Sequence, residues 1–213
     1  METDQLIQSK IAEMNKEFAE GLNFIKNYQK SVTFYGSART HEDDHHYKLA
    51  FELAKKVVQE LGYAVVTGGG PGIMEAANKG AYEMGGDSIG ATIKLPKEQN
   101  NNPYLTASHS FNNFSIRKTI LSFMSEAYVF SPGGFGTMDE LFEVLTLIQT
   151  GKFPKVPVFL LGKDYWSPLS KGFIKKHMLE DSDINKEDMY IYHITDDLDE
   201  IIQKIKRAPV RTV

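Results

Sequence analysis

Residues 127–140 run Ala-Tyr-Val-Phe-Ser-Pro-Gly-Gly-Phe-Gly-Thr-Met-Asp-Glu and change periodicity within a single turn. Ala127–Phe130 is a short, apolar, β-prone run, whereas from Thr137 to Gln149 the apolar residues recur at helical spacing. A strand that ends in glycines and re-emerges as a helix is half of a strand–helix–strand crossover. The same alternation extends in both directions. Val32–Tyr35, Ala64–Thr67, Ser88–Ile93 and Val156–Leu161 are further expected strands, with another at Tyr190–Ile194. His46–Leu61, Pro71–Met84 and Phe114–Ser125 have the spacing and length of helices. Such alternation predicts a parallel sheet covered on both faces, and right-handed crossovers make it doubly wound. The expected fold class is α/β, a Rossmann-like, mostly parallel sheet with helices on both faces.

Outside this pattern lies residues 1–30, an expected helical extension to a single domain at 31–213. Within it Ile7, Ile11, Met14, Phe18, Leu22 and Ile25 form one apolar stripe at steps of three and four. The stripe either docks on the body of the chain or meets a second copy. The polar segment Lys94–Asn113 is the longest expected loop, and long loops in compact domains often carry function.

Composition narrows the function classes. The chain has 213 residues and a formal charge of −4, which disfavours nucleic acid as a partner, since such proteins usually present a basic surface. It has no cysteine, which excludes disulfides, thiolate metal sites and a cysteine nucleophile. The N-terminus is acidic with no apolar run behind it, and no stretch approaches the ~18 apolar residues of a membrane span. A soluble, cytoplasmic protein without membrane contact is expected.

Two strand-to-helix turns are rich in glycine: Thr67-Gly68-Gly69-Gly70-Pro71-Gly72 and Ser131-Pro132-Gly133-Gly134-Phe135-Gly136-Thr137. Without Cβ atoms the backbone can approach an anion closely, and free N–H groups at a helix start favour phosphate. Pro71 fits the first position of the following helix. Neither turn is a dinucleotide fingerprint, because Glu75 and Asp139 stand where the third glycine of G-x-G-x-x-G belongs. The P-loop pattern is absent. NAD and ATP are disfavoured, no cofactor is called for, and a mononucleotide fits better.

The run Pro132–Glu140 resembles the PGGxGTxxE signature of the LONELY GUY (LOG) family. Arg117-Lys118 is similar to that family's upstream RK pair, Gly68–Gly72 with Ile73-Met74 to its other glycine turn, and Gly36-Ser37 to its first-strand turn. The resemblance covers roughly residues 31–165. It implies a homo-oligomeric Rossmann-like hydrolase that releases adenine, or an N6-prenylated adenine (a cytokinin), from the nucleoside 5′-monophosphate. It also implies Arg117 and Glu140 as catalytic residues. Gly133, Gly134, Gly136, Thr137, Lys118, Gly69, Gly70, Ser37, Glu98 and Thr146 would line the substrate and phosphate site. Glu98 matches only with a one-residue gap, and Gln99–Pro103 departs from the plant cytokinin enzymes. Sequences of this kind also carry the description lysine decarboxylase, a reaction needing a pyridoxal phosphate lysine that nothing in this sequence supports.

Breaking a base–ribose bond builds positive charge at the ribose, which a carboxylate can stabilise while orienting water or holding the ribose hydroxyls. Glu140, in the first turn of the expected helix, is the candidate. Thr137-x-x-Glu140 also matches a capping box, in which the glutamate only bonds back to the backbone. Arg117 suits phosphate, ribose or Glu140 itself. Thr146 reads equally as a packing residue or a contact. His41-Glu42-Asp43-Asp44-His45 formally matches H-E-x-x-H, but it precedes the helix and is read as a solvated turn, not a metal site. Phe111, Phe114 and Phe135 are available for an apolar pocket. A nucleotide carrier or sensor without turnover is the alternative function.

Overall fold

A computed structural model describes residues 2–94, 101–123 and 125–209. The elements in chain order are α1 (Glu2–Ile25), β1 (Ser31–Tyr35), α2 (His45–Lys56), β2 (Ala64–Thr67), α3 (Ile73–Glu83), β3 (Ser88–Ile93), β4 (Ala107–Phe111), α4 (Phe114–Phe123), β5 (Ser125–Phe130), α5 (Phe135–Gln149), β6 (Val158–Leu160), α6 (Lys163–Leu169), β7 (Tyr192–Ile194) and α7 (Leu198–Arg207). The sheet has seven strands in the order β4-β3-β2-β1-β5-β6-β7, every pair parallel. The chain winds outward from β1 to β4, then returns to lay β5 on the other side of β1. That reversal is the topological switch point, where the loops after β1 and β5 diverge and leave a crevice.

Strand residues alternate between two cores because successive side chains point to opposite faces. Val32, Phe34, Val65, Val129 and Phe159 join α7's Ile201, Ile202 and Ile205 on one face. Tyr35, Val66, Tyr128 and Phe130 join Ile120 of α4, Leu141 of α5 and Trp166 on the other. This parity decides which side chains reach the crevice. Tyr35, as the last residue of β1, faces α4 and α5.

β4 and α7 were not expected. β4 lies inside the segment read as a loop and alternates half-buried and exposed residues at the sheet edge. α7 is capped by Asp197, whose side chain accepts from the Glu200 N–H at 3.0 Å. Two helix starts also differ from expectation. α3 begins at Ile73 with Gly72 as its N-cap, so Pro71 stands before the helix. α5 begins at Phe135 with Gly134 as its N-cap, so Thr137 lies inside it and Glu140 in the second turn. The capping-box reading of Thr137 and Glu140 is thereby overturned.

α1 packs on α4 and β4 through its C-terminal half. Ile25 is in the core, and buried Glu17 accepts from the N–H groups of Asn112 and Asn113 and from the Asn113 side chain. Burial works against the Glu17 charge, but these N–H groups prevail and hold its carboxyl below the ordinary value. The residues capped in this way lead directly into α4. Most of the apolar stripe is not covered: Ile7, Ile11, Met14 and Phe18 are exposed, as is Leu6 beside them. No helix among the described residues is long and apolar enough to cross a membrane.

Candidate active site

The crevice at the switch point holds a cavity of about 550 Å³, within the range typical of small-ligand sites. Three loops form it and are bonded to one another. The Ser37 N–H donates to the Pro132 carbonyl at 3.0 Å, and the Ser37 carbonyl accepts from the Ile73 N–H at 3.0 Å. Gly72 makes the second contact possible. Its φ is +69°, and a Cβ there would overlap the Ser37 carbonyl oxygen.

Arg117 and Glu140 both line this cavity. Arg117, part-buried on α4, donates through Nε to the Ala91 carbonyl at 2.9 Å, which leaves its terminal nitrogens directed past Gly68. A Cβ on Gly68 would overlap the guanidinium and press on the Met74 sulfur. Glu140 is buried, and its Oε2 has no hydrogen-bond partner. Burial raises its carboxyl from 4.5 to about 7, prevailing over the attraction of Arg117 and Lys118. Desolvation also lowers the Arg117 pKa, opposed by Glu140. A guanidinium nevertheless stays charged under ordinary conditions.

Of the other expected residues, Ser37, Lys118, Gly134, Gly136 and Thr137 also line the cavity. Lys118 is tied to Asp139 at 2.8 Å and Glu143 at 3.0 Å, which joins α4 to α5. Gly133 sits just behind the rim, its carbonyl accepting from the Tyr165 hydroxyl at 2.6 Å. Gly69 and Gly70 are not brought to the cavity. They are buried, and their carbonyls hold the Asn102 backbone and side chain at 2.9 and 3.0 Å. Thr146 is exposed on α5, bonded to the Phe142 carbonyl and bordering an adjoining depression that shares Phe135 and Asp139 with the cavity. Glu98 lies outside the described residues.

Phe111 is in the core, whereas Phe114 and Phe135 stand at the cavity mouth, Phe135 with 97% of its surface exposed. His41 precedes α2, whose N-cap is Asp44, so His41 and His45 share no helical face. Tyr35, Gly68, Met74 and Arg39 line the cavity without having been singled out. Gly68 belongs to the first glycine turn, and only the path of Arg117 separates it from its neighbours.

The Glu140 shift carries a stability consequence. With its native pKa above the ordinary value, the folded state holds the proton more tightly between pH 4.5 and about 7. Stability should therefore fall as pH rises through that window and level off above it. Urea unfolding of the native protein should show a loss of about 2–3 kcal/mol between pH 4.5 and 8 that Glu140→Gln lacks. Parallel profiles for the two proteins would show that Glu140 titrates normally.

A family model described as "Possible lysine decarboxylase" matches residues 74–205, more than half of the chain. The cytokinin riboside 5′-monophosphate phosphoribohydrolase LOG of Oryza sativa subsp. japonica is 31% identical over 159 residues, covering 69% of this chain. That match spans 64% of the rice protein's length, just under two thirds. The cytokinin riboside 5′-monophosphate phosphoribohydrolase of Rhodococcoides fascians is 28% identical over 144 residues, 66% of this chain and 72% of that one. Among solved structures, the Moco carrier protein from Chlamydomonas reinhardtii superimposes with a TM-score of 0.58 at 27% identity, covering 84% of this chain and 95% of its own. With the glycine turn, Arg117 and Glu140 gathered at one switch point, and with these matches, the chain belongs to the LOG family.

Proposed function

We propose that the protein hydrolyses the N-glycosidic bond of a purine nucleoside 5′-monophosphate, releasing the free base and ribose 5-phosphate. The base is an adenine, with or without an N6-prenyl group. The observation that carries this reading is that buried Glu140, with one carboxyl oxygen unpaired, lines a cavity together with Arg117. At the rim the first-turn N–H groups of α5 have no carbonyl partner within the helix, and they suit a phosphate. Glu140 lies three residues beyond Thr137, about 4.5 Å further along the helix, at the depth of the ribose. Ionised Glu140 would stabilise the developing positive charge and orient the attacking water. Arg117 would hold the carboxylate and the sugar phosphate in register. Phe114 and Phe135 at the mouth would face the base.

The test is release of adenine from AMP. Glu140→Gln should lower kcat by about 10²–10⁴-fold while nucleotide affinity changes only a few fold. Activity should rise with pH through about 7 as Glu140 ionises. Adenosine should be poorer than AMP by about 10²–10⁴-fold in kcat/KM, since two charge-assisted bonds to the phosphate would be lost. Similar rates on both would argue for a nucleoside hydrolase. The likeness to the Moco carrier protein suggests the other reading, a carrier, which would bind nucleotide and release no base.

Gly68 offers a separate check on Arg117. Gly68→Ala forces the flexible guanidinium aside while leaving the turn's backbone intact. Its loss of turnover should approach that of Arg117→Ala, with a thermal midpoint close to that of the parent. Full activity in Gly68→Ala would place the working position of Arg117 elsewhere.

The reading also includes a homo-oligomer, with Leu6, Ile7, Ile11, Met14 and Phe18 on α1 covered by another copy. Light scattering at micromolar concentration should give at least twice the 24.0 kDa chain mass. A monomer would contradict it.

A further inference from the structure

Three buried side-chain polar atoms among the described residues have no hydrogen-bond partner: Tyr35 Oη, Ser131 Oγ and Glu140 Oε2. They are not scattered. Tyr35 ends β1, Ser131 follows β5 and Glu140 lies on α5, so all three surround the switch point. Elsewhere the fold pairs its buried tyrosines. The Tyr128 hydroxyl donates to the Ser122 carbonyl, Tyr192 shares a bond of 2.7 Å with Ser170, and Tyr47 reaches Glu75 at 3.3 Å. Tyr35 departs from that pattern.

Its ring is firmly placed. It stacks on Phe130 with centroids 4.6 Å apart and planes 9° from parallel, and it lines the cavity with Arg117 and Glu140. An unpaired buried hydroxyl is unfavourable, and exceptions of this kind concentrate where a ligand completes the bonding. Burial first, then the Glu140 charge, keeps the phenol well above its ordinary pKa. It is a neutral hydroxyl able to donate and accept. A sugar hydroxyl that donates to Glu140 retains lone pairs that can accept from Tyr35. In a nucleotide whose phosphate sits at the start of α5, the hydroxyl nearest the breaking bond is the 2′-hydroxyl.

We propose that Tyr35 and Glu140 together hold the 2′-hydroxyl of the ribose, making Tyr35 the residue that selects ribonucleotides over 2′-deoxyribonucleotides. This rests on the nucleotide reading above. The test compares AMP with 2′-deoxy-AMP on the parent protein and Tyr35→Phe, by adenine release for kcat/KM and by calorimetry for affinity. The variant keeps the ring and its stack and loses only an unpaired hydroxyl, so its thermal midpoint should match or exceed the parent's. The parent should favour AMP at least tenfold, and that preference should fall about tenfold in the variant. A structural role for Tyr35 would lower both substrates alike and leave their ratio unmoved. That outcome, or a parent without preference, overturns the proposal. Absence of adenine release from the parent would remove the hydrolase reading alone. The ratio of affinities would then decide the role of Tyr35 by the same criterion.

Discussion

Withdrawing the Glu140 carboxylate from water disfavours its charge, and the attraction of Arg117 offsets that cost only in part. The elements around the crevice hold those two side chains in place. Arg117 reaches the cavity because Gly68 has no side chain and because Ala91 fixes its Nε. α4, which carries Arg117, follows directly on the asparagines that Glu17 caps, so the N-terminal helix supports the site from outside the sheet. Lys118 then ties α4 to α5 through Asp139 and Glu143. Burial is the largest influence on the Glu140 pKa, ahead of the attraction of Arg117 and Lys118.

The sheet was largely legible in the sequence. Val32–Tyr35, Ala64–Thr67 and Ser88–Ile93 are buried parallel strands, which read as short apolar runs ending in turn residues, and Ala127–Phe130 does the same. The glycine turn before α5 was equally plain, because no helix or strand accommodates Pro-Gly-Gly. β4 was missed for the opposite reason. At the sheet edge its Ala-Ser-His-Ser-Phe run needs little apolar surface, so it resembles a polar loop. α7 had a visible start in Asp197-x-x-Glu200 and an apolar Ile201, Ile202, Ile205 face, but it lies beyond the region of the family signature.

The site was legible by residue type and less so by position. Arg117 and Glu140 came from the resemblance, and the geometry brings them together. The helix starts were read late by two residues at Thr137 and early by two at Pro71, because glycine caps bond through backbone alone and leave no side-chain signal. Gly68 could not be separated from Gly69 and Gly70 without the path of Arg117. Tyr35 was invisible as a site residue. In sequence it is one more aromatic at a strand end, and only strand parity turns it toward α4 and α5.

Under the proposed function, the relation of Glu140 to an anion argues for turnover over storage. A phosphate at the start of α5 gains from the helix dipole and the free N–H groups. A carboxylate about one helical turn deeper opposes that same anion, the more so in a low-dielectric crevice. A site selected only for affinity would do better with a neutral residue there. The cost becomes useful when the ligand develops positive charge beside the carboxylate. The repulsion from the phosphate would persist, but a new attraction to the ribose would be gained at the top of the barrier. Arg117 fits this account, since its attraction for Glu140 would offset part of that repulsion when a nucleotide binds. The same arrangement explains why burial, rather than pairing alone, sets the Glu140 pKa near neutrality. A fully paired carboxylate would be stable and idle, whereas an oxygen left without a partner would be available to a ligand.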